Sequence, residues 1–490
     1  VNKYMERELK EENLDVLKKF LQLCRGTGWN SVGLEISKLV VDASKILLGS
    51  EHKKTLLNLV HQANFLNFLA EHIKALKVFK QVLFLQEKTL GVSDVDTITT
   101  VNDLGLLYTN TGNHKKAEVF FKRAFESLKT VLGEEHPYTL SAMANLAMVT
   151  HQIGDDNQAE KLYKHALSKQ EKIKGPCHPK TLLTVNNLGV FYQTRGDYAK
   201  AEIFFKRAFE GNKTAIGEEH PTTLFAMANL ASATHQIGDE DQAEEIYNYA
   251  LSKQEKIQGT NHPDTLLTVG NLGNLYIHIG DYVKAEVFLK RALEGNKTAL
   301  SKKHPYNIQV IKSLESLYRT IKDYEKSIKY CKILIDLQKN GLGPEAVETF
   351  ESINNLGVSY YNVNDFEKAE PLFIEALEGF KKILEPFDKY IIVTTFYLAQ
   401  VYCALENHDK AIEFSKILIN LQENKLGPLA YDSLLSVNSL GLIYFTLGNF
   451  FQAKILFKQA AEGLEETLGK EHADTVQLLE NLAAAENQIN

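Results

Sequence analysis

Hydrophobic positions return along this chain in a block that repeats every 42 residues. The unit beginning at Thr181 is typical. Leu182, Val185, Leu188 and Tyr192 fall on one face at helical spacing, which predicts a first helix, A, about four turns long. Gly196 follows its last turn and Asp197 stands at an N-cap position. Ala201, Phe205, Ala208 and Phe209 then mark the inner face of a second helix, B, which runs to about Ile216 and stops at Gly217. Taking Thr181 as offset zero, Thr55, Thr97, Thr139, Thr223, Thr265, Thr349 and Thr475 occupy the same rung, and Asn307, Ile391 and Ser433 keep the register where threonine is missing. A helical hairpin of this kind cannot bury its apolar face alone. Stacking the copies does so, and the pattern predicts an all-α solenoid of about 23 helices with no strand.

Two columns of small residues explain how the helices approach. Offset 8 of helix A is glycine or alanine, as in Gly105, Ala147, Gly189 and Ala231, and offset 20 of helix B is alanine in nearly every copy. Small side chains allow close packing, and an aromatic at offset 11 or 24 fills the space beside them. The unit at Asn307 departs from the pattern, with Glu315 at offset 8 and Lys322 at the glycine position. A carboxylate between closely packed helices must turn outward or find a cation, and Lys312 and Arg319 lie one turn away on either side. This unit is therefore expected either to splay its helix pair or to form a local Glu315–Arg319 bridge, to kink the stack between residues 300 and 345, and to be its weak point. Residues 1–54 read as an N-terminal capping repeat that includes Gly28, Trp29, Gly33 and Gly49. Residues 55–474 read as ten 42-residue units, and 475–490 as a C-terminal capping helix. A second period of 84 is superposed, because AMANLAMVTHQIGDDNQAE from Ala142 returns as AMANLASATHQIGDEDQAE from Ala226. Two kinds of hairpin therefore alternate.

Composition narrows the function. With 44% hydrophobic and 24% charged residues, the chain is that of an ordinary folded protein. A net charge of −7, spread over the length, offers neither the basic stripe of a nucleic-acid binder nor a polybasic membrane patch. No apolar run is long enough to span a bilayer, and no signal peptide is visible. Val1 stands first instead of methionine, in keeping with a fragment or processed form of a longer protein. The four cysteines, Cys24, Cys177, Cys331 and Cys403, are widely spaced, which reads as free thiols in a reducing compartment and so as cytoplasmic. Seven histidines share one offset just before helix A, often as His-Pro, too far apart from copy to copy to share a metal; no metal and no cofactor is expected. Phosphate-binding, zinc-protease and nucleophile-elbow motifs are missing, so an enzyme is not expected.

Leu188, Gly189, Tyr192, Ala201, Phe205 and Ala208 match the tetratricopeptide pattern position by position. The longer unit, NNLGVFYQTRGDYAKAEIFFKRAFE with its G-x-x-H-P join, resembles the 42-residue repeats of kinesin light chains and nephrocystin-type proteins. That resemblance implies a right-handed superhelix with the A helices on the concave side, and a partner that is a protein or peptide. It also implies that Asn145, Asn187, Asn229, Asn271 and Asn355, at offset 6, face a groove and hydrogen-bond an extended peptide. From the residues alone these amides serve equally well to tie neighbouring A helices together. Asn186, Gln152, Gln193, His235 and Arg319 complete the candidate groove, which is neutral or weakly basic and so reads against an acidic ligand. Three functions fit: an interaction scaffold, the sensor part of a larger STAND-type NTPase, or a kinesin-light-chain-like cargo adaptor.

Overall fold

The computed structural model describes residues 17, 19–21, 24, 30–69, 71–299, 305–341 and 344–489. Among the described residues there are 22 helices of the expected set and no strand. Residues 17, 19–21 and 24 are helical as well and belong where the first A helix was expected, whereas Gly28 and Trp29 lie outside the described residues. The chain divides into two compact units, 1–313 and 314–490, the division falling within the helix Pro305–Thr320.

Within each unit the hairpins are built as the pattern predicts. In the Thr181 copy helix A is Pro179–Thr194 and helix B is Tyr198–Ile216. Both starts are capped. His178 has extended backbone angles and its ring nitrogen Nδ1 accepts the amide of Lys180 at 3.1 Å. His52, His136, His220, His262 and His472 do the same in their copies, and Asp94 and Asp388 stand in with a carboxylate. The recurrent histidine is thus an N-cap. The bond uses the lone pair of Nδ1, so it needs a ring that carries no proton on that nitrogen. Helix B starts the same way on the Asp197 side chain, which accepts from the amide of Lys200, and Asn113, Asp155, Asp239 and Asn449 repeat the bond. The turn between the helices needs a left-handed residue: Gly196 has φ 77°, and Lys322, Asn364 and Glu406 accept the same conformation without being glycine.

The two small columns work differently in the two kinds of hairpin. A Cβ added to Gly105 would stand 2.6 Å from the Phe121 ring, and one added to Gly189 the same distance from Phe205. In these copies glycine makes room for the hairpin's own ring. In the alternate copies Ala147 and Ala231 replace glycine, and the rings at offset 24 are Tyr163 and Tyr247, which reach toward the next hairpin. Tyr163 lies 5.9 Å from Phe191, and the Tyr247 hydroxyl meets Ser232 and Asn271. Offset 24 carries a ring in Phe79, Phe121, Tyr163, Phe205, Tyr247, Phe373 and Phe457, all buried. The exceptions are Leu289, Cys331 and Ser415, also buried. Each buried ring contributes about 2–3 kcal/mol of transfer free energy to its hairpin.

The Asn307 copy keeps its helices despite Glu315. The carboxylate is 1% exposed, and within the second unit it accepts from Arg319 Nε at 3.1 Å and from Ser327 Oγ at 3.2 Å. Ser327 in turn lies 2.8 Å from Ser359 Oγ. Of the two alternatives expected for this unit, the Glu315–Arg319 bridge is the one present, and Cys331, small where other copies have a ring, leaves room for it. Burial and the Glu315 charge push the Cys331 thiol well above its ordinary range.

Candidate functional site: the A-helix face

Successive A helices touch one another directly. In the first unit Lys53–Phe68 meets Val95–Asn110, Pro137–Gln152 meets Pro179–Thr194, and Pro221–Ile237 meets Pro263–Ile279; in the second, Val347–Asn362 meets Lys389–Ala404. Successive B helices are joined by longer reaches, the ion pairs of Arg123 with Glu87, Arg207 with Glu171 and Arg291 with Glu255. Short contacts on one side and long side chains on the other make the A face the tighter side of the stack.

The offset-6 asparagines all lie half-buried on this face. Asn145 Nδ2 donates to Asn102 Oδ1 at 3.0 Å, Asn229 Nδ2 to Asn186 Oδ1 at 3.0 Å, and Asn481 Nδ2 to Asn438 Oδ1 at 3.2 Å. In these copies the amide ties its A helix to the one before. Asn186 is therefore an internal acceptor, 6% exposed. Asn271 instead meets the Tyr247 hydroxyl. Asn354 plays the Asn186 part in the second unit, accepting from Thr394 Oγ1 at 2.9 Å. An amide has two donor hydrogens and two acceptor lone pairs, and each bridge uses one donor of the offset-6 side chain.

The remaining sequence candidates gather in a second row along the same face. Gln193 Nε2 donates to Ser232 Oγ at 2.8 Å, and Gln152 is exposed. His151 lies 2.6 Å from Asp156 through Nδ1 and 2.8 Å from Thr194 Oγ1 through Nε2, with the Phe191 ring edge-on at 5.1 Å. Arg195 adds its guanidinium to Asp156 at 3.2 Å and lies over Phe191. Eighty-four residues later the same positions hold His235, His278 and Glu240, with the carboxylate now bonded to the residue of the following A helix. The two imidazoles are 5.1 Å apart, and His278 Nδ1 reaches Glu240 at 2.6 Å. Burial, and then the neighbouring His278, lowers the His235 pKa, with Glu240 opposing. Arg319 is turned onto Glu315. Among the described residues no group of three or more histidine, cysteine or acidic side chains is placed to hold a metal, and no helix is long and apolar enough to cross a membrane.

Some features escaped the sequence reading. Asn102 and Asn438, the acceptors of the amide bridges, sit at offset 5 and are spaced in multiples of 84. Gln86, Gln170, Gln254, Gln338 and Gln422 are buried on helix B, their carboxamide oxygens unpaired by any protein donor. Their strict 84-residue spacing was the available signal.

Models of the tetratricopeptide repeat match residues 54–130, 99–172, 180–256, 241–298, 315–382, 348–424 and 433–474. No curated protein matches the chain. Among solved structures, a STAND protein with a tetratricopeptide repeat sensor from Pyrococcus horikoshii is similar over 80% of this chain and 53% of its own, at 18% identity and a TM-score of 0.51. This chain thus corresponds to about half the length of that protein. A putative kinesin light chain from Podospora anserina with nearly identical repeats aligns over 42% of this chain and 96% of its own, at 21% identity and a TM-score of 0.36. BtubC (BKLC) from P. vanneervenii aligns over 56% and 91%, at 20% identity and a TM-score of 0.32. Identities this low bear on fold alone, but the repeat models cover most of the sequence, and the chain belongs to the tetratricopeptide repeat family.

Proposed function

We propose that the chain is a non-enzymatic interaction scaffold that holds an extended peptide, or a helix, of a protein partner along its A-helix face, in the cytoplasm. The observation that carries this reading is the row of half-buried amides at one register of the first unit, Asn145, Asn187, Asn229 and Asn271, with Asn355 half-buried at the same register of the second unit. Amides both donate and accept, as the backbone of an extended peptide does, and the even one-repeat spacing of the four in the first unit suits a regular ligand. The row beside it, with Gln152, Gln193 and His235, supplies further uncharged polar groups. Arg319, held by the buried Glu315, adds little free positive charge, which favours a neutral or weakly acidic peptide over a strongly acidic one. The four free cysteines are in keeping with a reducing compartment. The same face would serve a sensor segment of a larger protein or a cargo adaptor equally.

The test uses a phage-displayed library of random twelve-residue peptides selected on the full chain. Selected peptides are expected to lose affinity roughly tenfold for each of Asn187→Ala and Asn355→Ala, with helicity unchanged. Peptides that bind both variants as they bind the parent, or a selection that yields none, would overturn the reading.

A further inference from the structure

The offset-24 column of helix B holds a buried ring in most hairpins, and two of its three exceptions lie in the second unit. There Cys331 is compensated by Glu315. Nothing compensates Ser415. Its partner at offset 8 is Ala399, an ordinary small residue, and Ser439, at offset 6 of the next A helix, is small as well. The result is a cavity of about 350 Å³ between the helices Lys389–Ala404, His408–Leu426 and Tyr431–Thr446. Ser415 lines it while only 4% exposed, so the cavity reaches the depth at which the other hairpins bury their rings. A single water occupies about 30 Å³, and sites for small organic groups begin near 300 Å³. Leu442 and Ile443 form an apolar wall, and Leu442 is 43% exposed, so the wall continues to the surface.

The first unit shows what such a space accepts. Tyr247 fills the equivalent place there, and its hydroxyl meets one side chain from offset 9 of its own helix A, Ser232, and one from offset 6 of the next, Asn271. In the cavity the same two offsets are Gln400 and Ser439, and both line it. Ser439 Oγ donates its hydrogen to the Leu435 carbonyl at 2.9 Å, which leaves its oxygen as an acceptor. A phenol placed there would have ring contacts from Leu442 and Ile443 and partners for its O–H.

We propose that this cavity receives a tyrosine side chain presented by the protein partner, so that the ligand supplies the ring that position 415 lacks. The proposal rests on the A-helix face being the binding face, and it adds a residue-specific anchor to it. A buried aromatic anchor in a preformed pocket is the arrangement that concentrates binding energy at protein interfaces.

The test uses p-cresol, the tyrosine side chain as a free molecule, titrated into the full chain and followed by the methyl resonances of Ile443 and Leu442. Saturable shifts at these two methyls are expected, with toluene binding roughly fivefold to tenfold more weakly for want of the hydroxyl. Ser415→Phe, which restores the ring of the other copies, should abolish the response. Paired Gln400→Ala and Ser439→Ala should bring p-cresol and toluene to equal affinity without emptying the pocket. No saturable response in the parent chain, or the same response in a folded Ser415→Phe, overturns the proposal; if that variant does not fold, an unchanged preference for p-cresol in the alanine pair overturns it. Because p-cresol needs no partner, its failure would remove the tyrosine pocket and leave the peptide selections to decide the groove on their own.

Discussion

Thr181 and Thr223 stand on the same rung of neighbouring copies, and both are fully buried. Thr223 Oγ1 donates to the Gly217 carbonyl at 2.8 Å, and Thr139 does the same with Gly133. The hydroxyls of Thr97, Thr181 and Thr265 have no protein partner. Valine has the shape of threonine without the hydroxyl, so it separates the two cases. Thr223→Val should cost about 1 kcal/mol for the lost bond, and Thr181→Val should be neutral or stabilising by about as much, since it removes an unmet buried polar group. Urea denaturation of the two variants decides this, and equal losses would show that the rung is held by packing alone. The rung itself was plain in the sequence as a spacing. Which threonines bond was not, because that depends on the carbonyl six residues earlier, whose direction no side-chain pattern records.

At the scale of the helix, the hairpin that carries His235 has a built-in sensitivity to acid. The helix Pro221–Ile237 places this ring against His278, which is itself paired with Glu240. The folded-state pKa of His235 lies below its ordinary 6.5, from burial first and the His278 charge second, with Glu240 opposing. The unfolded chain therefore binds the proton more readily. The stability this contributes is fully present above pH 6.5 and is lost as pH falls from there through the lower folded value. Burial lowers His72 in the same way, and His178 is lowered by burial and by Lys174 and Lys180. Denaturation midpoints should be level between pH 8 and 7 and fall below about 6.5; His235→Gln should reduce the slope, and an unchanged slope would remove His235 from the account. Helix positions, the small columns and the Glu315–Arg319 bridge were legible because each follows from periodicity or from one local misfit. The histidine before helix A was legible as a recurring position and not as a cap, since its capping bond depends on ring orientation. The offset-6 asparagines were legible as a row, and their two roles could not be separated, because the outcome turns on whether offset 5 of the preceding copy supplies an acceptor. Ser415 is visible in the sequence, with Cys331, as a small residue in a largely aromatic column. That it leaves a space is a fact of three dimensions, as the comparison with Cys331 and Glu315 shows.

At the scale of the molecule, the alternation of two hairpins governs which copies can be neighbours. The ion pairs of Arg207 with Glu171 and Arg291 with Glu255 join one kind of copy to the other, with arginine always on the same kind. Removing residues 181–264 deletes one copy of each kind and leaves unlike copies adjacent. Removing 223–264 deletes one copy and sets Arg291 opposite Lys213, the residue at the register of Glu255 in the preceding copy. The longer deletion should therefore melt close to the parent and the shorter one several degrees lower, as followed by far-ultraviolet circular dichroism; equal midpoints would mean that the alternation carries no energetic weight. If it does, the chain has a parity. Recombination between copies could lengthen or shorten it without penalty only by even numbers of repeats, and an odd exchange would leave a fault line where two surfaces of one kind meet.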